Sequence, residues 1–185
     1  MVPVTFPLYI DRVHRRTTSY LMEKLVVPAV LCALLTSPGF ADITVRFVES
    51  APKDRFVISS DTCPLQNVAV NIDLAGSAGG LIFDVTSAGA GVEVFQPIEV
   101  QSGTVIAQPV VDGDQQLSFE ISDLRAGDDV IISADLDDVL DNSSLGQIRV
   151  AGSELNGTAV QMTIAGEKQS AVFAQDANTV VLPHS

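Results

Sequence analysis

Short runs of alternating apolar and polar residues constrain the fold of this chain more than any other feature. The two clearest runs are Leu117–Ser122 and Val130–Asp137, which flank a turn-forming segment at residues 124–129. Successive side chains of a strand point to opposite faces, so a period of two residues is typical of a strand with one buried face. Because a Gly-Asp turn separates the two runs, they are predicted to pair as an antiparallel hairpin.

The same pattern recurs along the chain after residue 41. No segment there carries the 3.6-residue apolar period of a helix, and turn residues separate the runs. Two more hairpins are predicted, across Asn156-Gly157 and across Gln175–Asn178. The fold class is therefore predicted to be all-β, an antiparallel β-sandwich of roughly 11–12 short strands that follows a cleaved N-terminal signal helix.

Residues 22–41 have the pattern of a secretory signal peptide. A short charged start at Met22–Lys24 precedes an apolar run and small residues that end at Ala41. A transmembrane anchor would need about 20 apolar residues, and this run is shorter. Residues 1–21 are interpreted as an N-terminal extension or an upstream start, and residues 42–185 as a single sandwich domain. The protein is expected to be exported, to the periplasm, the cell surface or the medium, without stable membrane insertion after cleavage.

Composition excludes several classes of function. The net charge of −13 repels phosphate backbones, so no nucleic-acid partner is expected. After residue 41 the chain has a single histidine, His184, which argues against a serine or cysteine triad. The chain has no tryptophan and its tyrosines are Tyr9 and Tyr20, which excludes a sugar platform built on those residues. Cys63 is the one cysteine after residue 41, so no internal disulfide is expected.

Aspartates at the end of the second central run carry the candidate chemistry. Alternation predicts that Asp135 and Asp137 lie on the outer face, about 7 Å apart. Asp138 and Asp141 follow in the next loop, and together these four residues form a candidate calcium site, since calcium prefers six to eight oxygen ligands. The aspartates at positions 73, 84, 112 and 114 would join only if their loops fold to the same end. The alternative is a solvated acidic edge that discourages strand-to-strand aggregation.

The glycine-rich segment at residues 75–80 invites comparison with a phosphate-binding loop. It lacks the Lys-Ser/Thr ending of such a loop, and a strand rather than a helix is predicted to follow it. It is therefore interpreted as a flexible connection.

Three segments carry a family resemblance. They are DITVRFVESAPKDRFVI, NVAVNIDLAGSAGGLIFDVTSAGAGVEVFQP and LRAGDDVIISADLDDVL. Over roughly residues 42–155 the chain resembles a family of short exported bacterial proteins called aggregation factor core. The strand, turn and Asp-x-Asp-Asp pattern also resembles the immunoglobulin-like and Calx-β modules of extracellular adhesins. These resemblances imply an immunoglobulin-like sandwich and calcium-dependent adhesion, and they supply no catalytic residue.

Three functions remain at the level of sequence. The first is a non-enzymatic, calcium-assisted adhesion or aggregation module whose partners are other extracellular proteins or cell-surface components. The second is a periplasmic structural or ligand-binding protein without metal. The third, a glycan hydrolase that uses two carboxylates, is disfavoured by the absence of aromatic subsites.

Overall fold

Strands make up most of the computed structural model, which describes residues 41–87, 95–140 and 149–184. All of these residues belong to one compact unit, residues 36–185. The described elements, in chain order, are β1 (Ala41–Val48), β2 (Asp54–Ser60), β3 (Leu65–Asp73), β4 (Ile82–Phe83), β5 (Glu99–Ser102), β6 (Thr104–Ala107), β7 (Gln116–Leu124), β8 (Asp129–Ala134), β9 (Leu136–Asp137), a 3₁₀ helix (Gly152–Leu155), β10 (Ala159–Ile164), β11 (Glu167–Val172) and β12 (Thr179–His184).

Two five-stranded antiparallel sheets pack against each other. The first sheet has the order β12-β1-β2-β8-β5, and the second has the order β11-β10-β3-β7-β6. The two-residue strands β4 and β9 form a small third ladder. The prediction of an all-β antiparallel sandwich is confirmed.

The core lies between the inner faces of the two sheets. Alternate residues of each long strand are buried, as in β1, where Ile43, Val45 and Phe47 expose at most 1% of their surface. The rings of Phe47 and Phe56 lie 5.4 Å apart in a tilted arrangement. Fully burying one such side chain stabilises the fold by about 1.5–3 kcal/mol, so the alternating pattern is the main determinant of the sandwich.

The predicted hairpin between the two central runs is wrong. Strand β7 pairs with β3 and β6 in the second sheet, whereas β8 pairs with β2 and β5 in the first. The turn between β7 and β8 therefore crosses from one sheet to the other. Both sheets bury one face against the same core, so the two runs have the alternation of a hairpin although they belong to different layers.

The two other predicted hairpins are also wrong: the first site follows a helical turn, and the second is a crossing between the two sheets. The residues before Asn156-Gly157 form a 3₁₀ helix that ends at Leu155 with Asn156 as its C-cap, and Gly157 follows with a φ of +93°. Strands β11 and β12, on either side of Gln175–Asn178, lie at the edges of different sheets. The hairpin that does form at this end of the chain joins β10 to β11 through Ala165 and Gly166, which both have positive φ.

The glycine-rich connection at residues 75–80 is held in place by contacts with residues 154–157. The backbone N–H of Ala78 donates to Asn156 O at 2.7 Å, and that of Gly79 donates to Glu154 O at 3.0 Å. A β-carbon on Gly76 would lie 2.6 Å from Gly157 O. The glycines therefore permit close backbone packing, and hydrogen bonds hold the segment that was interpreted as flexible.

Some predictions fall on residues outside the described ranges. These are the N-terminal extension, nearly all of the signal peptide, and Asp141 of the candidate site. In the described ranges no helix is long and apolar enough to cross a membrane.

Candidate functional site

The small ladder between β4 and β9 brings distant aspartates together. Phe83 pairs with Leu136, and the N–H of Asp84 donates to the carbonyl oxygen of Asp135 at 3.1 Å. The carboxyl groups of Asp84 and Asp137 share a hydrogen bond. Asp84 thus meets Asp135 and Asp137, which lie about 50 positions later in the sequence, at one end of the sandwich.

A fourth aspartate reaches this place from strand β2. Asp54, the first residue of that strand, pairs with Ala134, the last residue of β8 and the neighbour of Asp135. The charge of Asp54 also raises the pKa of Asp135. Asp54, Asp84, Asp135 and Asp137 are called the acidic cluster below.

The cluster is buried, which corrects the prediction of an outward-facing acidic strand. Asp84 and Asp137 each expose 1% of their surface, and Asp135 exposes 4%. The reason is that β8 ends at Ala134 and the chain leaves the first sheet to pair with β4. Beyond that point both faces of the chain are covered, so alternation no longer separates core from solvent. Asp138 is buried as well, and the solvated-edge alternative is wrong for these residues.

Burial and like charges together raise the pKa values of the cluster. The pKa of Asp135 rises from 3.8 to about 7, chiefly because burial disfavours the charged carboxylate and then because Asp137, Asp84 and Asp54 repel it. The pKa of Asp84 rises to about 6 through burial and the charge of Asp137. Burial also raises the pKa of Asp54 to about 7, although its hydrogen bond from Ser50 N, at 3.0 Å, opposes this.

Two basic residues offset part of this repulsion, Lys53 and Arg149, and the charge of Arg149 lowers the pKa of Asp54. Lys53 lowers the pKa of Asp135, but its ammonium group lies 2.8 Å from Glu99 Oε2 and donates to Pro97 O at 3.1 Å. Its charge is therefore shared with a carboxylate outside the cluster. A bound cation would supply the missing positive charge.

Several carboxylate oxygens in this region are buried, and those of Asp84, Asp135 and Asp138 include one oxygen each without a hydrogen-bond partner. In each of these three residues it is Oδ2. The other oxygen of Asp138 accepts a hydrogen bond from Leu140 N at 2.9 Å. An unsatisfied buried acceptor destabilises a fold by about 1–3 kcal/mol, and more when charged. Such oxygens are the ligand type that calcium and magnesium prefer.

The side chains do not form a finished metal-ligand sphere. Across the ranges that the structure describes, no group of three or more His, Cys, Asp or Glu side chains is arranged to hold a metal ion. A cation at the cluster would therefore require rotation of the carboxylates toward a common point. The donor types fit calcium, which accepts irregular geometry more readily than magnesium does.

The other acidic candidates have structural partners. Asp112 accepts hydrogen bonds from the N–H groups of Val85 and Thr86 and thereby fixes the chain that follows β4. Asp114 accepts from Val111 N at 2.9 Å. Asp73 accepts from Gln116 Nε2, on the neighbouring strand, at 3.3 Å. Of these three, Asp112 also contributes to the raised pKa of Asp84.

The sequence interpretation identified part of this site. The sequence pattern predicts Asp135, Asp137 and Asp138, makes Asp84 conditional on loop folding, and gives no prediction for Asp54. The signal for Asp54 was weak because it follows a turn and begins an ordinary alternating strand. Asp141 lies outside the described ranges.

Comparisons with known proteins add no relative. No family model matches this chain, and neither a curated protein nor a solved structure matches it. The resemblance to the aggregation factor core family and the immunoglobulin-like topology therefore stay predictions.

Proposed function

We propose that this protein is an exported, non-enzymatic adhesion or aggregation module whose folded state is stabilised by calcium at the acidic cluster and the adjoining Asp138. The observation that supports calcium is the set of buried carboxylate oxygens without partners on Asp84, Asp135 and Asp138. Export and adhesion rest on the signal-peptide pattern and the family resemblance of the sequence.

At neutral pH, a bound calcium ion accounts for a buried group of carboxylates better than protonation of those carboxylates does. With pKa values of about 6 and 7, Asp84 and Asp135 are largely or partly ionised near pH 7.5. Each ionised carboxylate then lies in a buried site beside others of the same charge. A divalent cation would satisfy the vacant lone pairs and cancel the repulsion in one step.

A hydrolase that uses two carboxylates is less favoured. Asp84 and Asp137 form a hydrogen-bonded pair, as some catalytic carboxylates do, but each exposes only 1% of its surface. A glycosidic bond would have to reach both groups for acid and base catalysis.

The test is thermal unfolding of the full chain at pH 7.5, followed by far-ultraviolet circular dichroism. Melting is recorded with 5 mM calcium, with 5 mM magnesium and with a chelator. Selective stabilisation by calcium is expected, because a ligand that binds only the folded state raises the midpoint. Equal midpoints in all three buffers would contradict the calcium site. Adhesion is tested separately by clustering of beads coated with the protein, with and without calcium.

A further inference from the structure

The outer face of the second sheet carries a groove that is separate from the acidic cluster. The groove has a volume of about 500 Å³ and extends over side chains of β3, β7, β10 and β11, together with Gln108 just after β6. Its floor is a regular antiparallel ladder, so its side chains have fixed spacing.

Five uncharged polar residues form one straight row across this groove. Ser170 is paired with Gln161, Gln161 with Asn71, and Asn71 with Ser118. Gln108 completes the row because its N–H donates to Ser118 O at 2.8 Å. Neighbouring strands lie about 4.8 Å apart, so these residues, called the amide row below, extend over about 19 Å.

The amide row provides both donors and acceptors. Gln108, Gln161 and Ser170 are exposed, and Asn71 and Ser118 are partly exposed. Asn71 Nδ2 donates to Ser118 Oγ at 2.8 Å, which fixes the orientation of that amide. A side-chain amide offers a carbonyl acceptor and an NH₂ donor side by side, which matches two neighbouring hydroxyl groups.

The local charge of the groove differs from that of the whole chain. The protein has a net charge of −13, yet the amide row has no charged residue. Of the two neighbouring rows, one contains Lys168 and Glu120, which are of opposite sign, and the other contains Asp73 as its one charged residue. A neutral ligand would therefore meet no charge repulsion at this surface, whereas a polyanion would be repelled by Asp73 and by the rest of the molecule.

Other occupants fit less well. Two large apolar side chains of the second sheet are exposed, Ile106 and Val172, and they lie on opposite outer strands, β6 and β11. They form no continuous apolar patch of the kind that a second copy or a membrane would cover. An added peptide strand would pair with a sheet edge, whereas the amide row crosses the middle of the sheet.

We propose that the amide row binds a neutral glycan. The glycan would lie across the strands and exchange hydrogen bonds with the amides and hydroxyls of the row. Without aromatic stacking the affinity of one site is expected to be weak, with a Kd on the order of a millimolar, so binding would become effective through many copies. This inference names a partner class for the proposed adhesion role, but it does not depend on calcium.

The test is native gel electrophoresis of the full chain in gels that contain dextran, mannan or soluble starch. The acidic protein migrates toward the anode, and retardation by a polysaccharide reports binding. We expect at least one neutral polysaccharide to slow the protein, and alginate, a polyanion, not to. Gln161→Ala and Gln161→Glu should each weaken retardation about tenfold, since each removes hydrogen bonds of an exposed amide within the row.

Gln101→Ala is the matched control, because Gln101 is an exposed amide on β5 of the other sheet. Its retardation should equal that of the wild type. Circular dichroism melting confirms that each variant folds. If no neutral polysaccharide slows the protein, or if both Gln161 variants behave as the wild type does, the glycan inference is wrong. Self-association lost in the Gln161 variants, seen by sedimentation without any glycan effect, would overturn it in favour of a second copy.

The calcium proposal and the glycan inference fail separately. Retardation should be the same with calcium and with chelator, and the same for Asp135→Asn. Retardation without any effect of calcium on melting would support the glycan site and reject the metal. Melting that depends on calcium, without retardation by any polysaccharide, would support the metal site and reject the glycan site. Retardation that requires calcium would contradict the independence of the two sites.

Discussion

Substitution of Asp135 by asparagine should have opposite effects in the absence and presence of calcium. Asparagine has nearly the shape of a protonated aspartate and carries no charge. It therefore removes the cost of burying a charge, which is the main cause of the raised pKa of Asp135, and also the repulsion from Asp137, Asp84 and Asp54. It also removes a charged ligand from the proposed calcium site.

The structure sets the magnitude of the effect without calcium. The pKa of Asp135 rises from 3.8 to about 7. This increase of about 3 in the pKa means that the charged form destabilises the fold by about 4 kcal/mol, because a pKa increase of 1 corresponds to about 1.36 kcal/mol. Water near the end of the sandwich and relaxation of neighbouring side chains reduce this to about 2 kcal/mol. For a domain of this size, the midpoint of Asp135→Asn should then rise by about 4–8 °C at pH 8 with chelator.

Calcium should stabilise the wild type and not the variant. At a calcium concentration of ten times Kd, linkage predicts about 1.4 kcal/mol, or about 3–5 °C. In Asp135→Asn this increase should be mostly lost. Both effects are measured by circular dichroism melting of the full chain.

The control is Asp128→Asn, which removes the same charge from an exposed turn. Its stability should change by less than about 0.5 kcal/mol in either buffer. A lower midpoint for Asp135→Asn than for the wild type in chelator would refute the argument that the buried charge destabilises the fold. An undiminished response of the variant to calcium would remove Asp135 from the site.

Three further predictions concern pH and packing. Without calcium, stability should fall as pH rises from about 4 to about 8 and then level off, because the raised pKa values of Asp54 and Asp84 mean that the folded state holds protons that the unfolded state releases. A melting series across this range measures the effect, and stability that rises with pH would contradict it. Gly157→Ala should lower the free energy of unfolding by more than 2 kcal/mol, since its β-carbon would lie 2.0 Å from Gly76 O. Gly127 also has a positive φ but has nothing within 4 Å, so Gly127→Ala should lower it by only about 1 kcal/mol, and urea unfolding measures both. Phe83→Ala should lose about 3–5 kcal/mol in the same assay because Phe83 is fully buried and anchors the β4–β9 ladder, and a loss below 1 kcal/mol would show that this ladder is not part of the core.

The sequence predicts the faces of the strands well and their partners poorly. Leu117 and Ile121 of β7, and Val130 and Ile132 of β8, are buried as their alternation indicates. Nothing in that alternation tells whether two successive strands pair or cross, since the inner faces of both sheets meet the same core. Pairing depends on contacts between residues far apart in the sequence, such as those of β2 with β8.

The site shows the same limit at the level of single residues. A period of two assigns Asp135 and Asp137 to the solvent face only while the strand stays in one sheet. The chain leaves that sheet after Ala134, and a partner strand from about 50 residues earlier covers it. Local pattern therefore identified the acidic residues, but long-range pairing determined their burial and added Asp54 and Asp84.

The pairing of β1 with β12 has a mechanical consequence. Asp42, the first residue after the predicted signal-peptide cleavage, lies opposite Pro183, so the first and last described strands run antiparallel and one begins where the other ends. Tension applied between these two residues would open the hydrogen bonds of the β1–β12 ladder one after another, as in peeling. Tension that enters at Asp42 and leaves through a ligand on the opposite sheet would instead distribute over the packed core. An adhesive contact on the outer face of the second sheet would thus resist pulling better than a contact through residue 184.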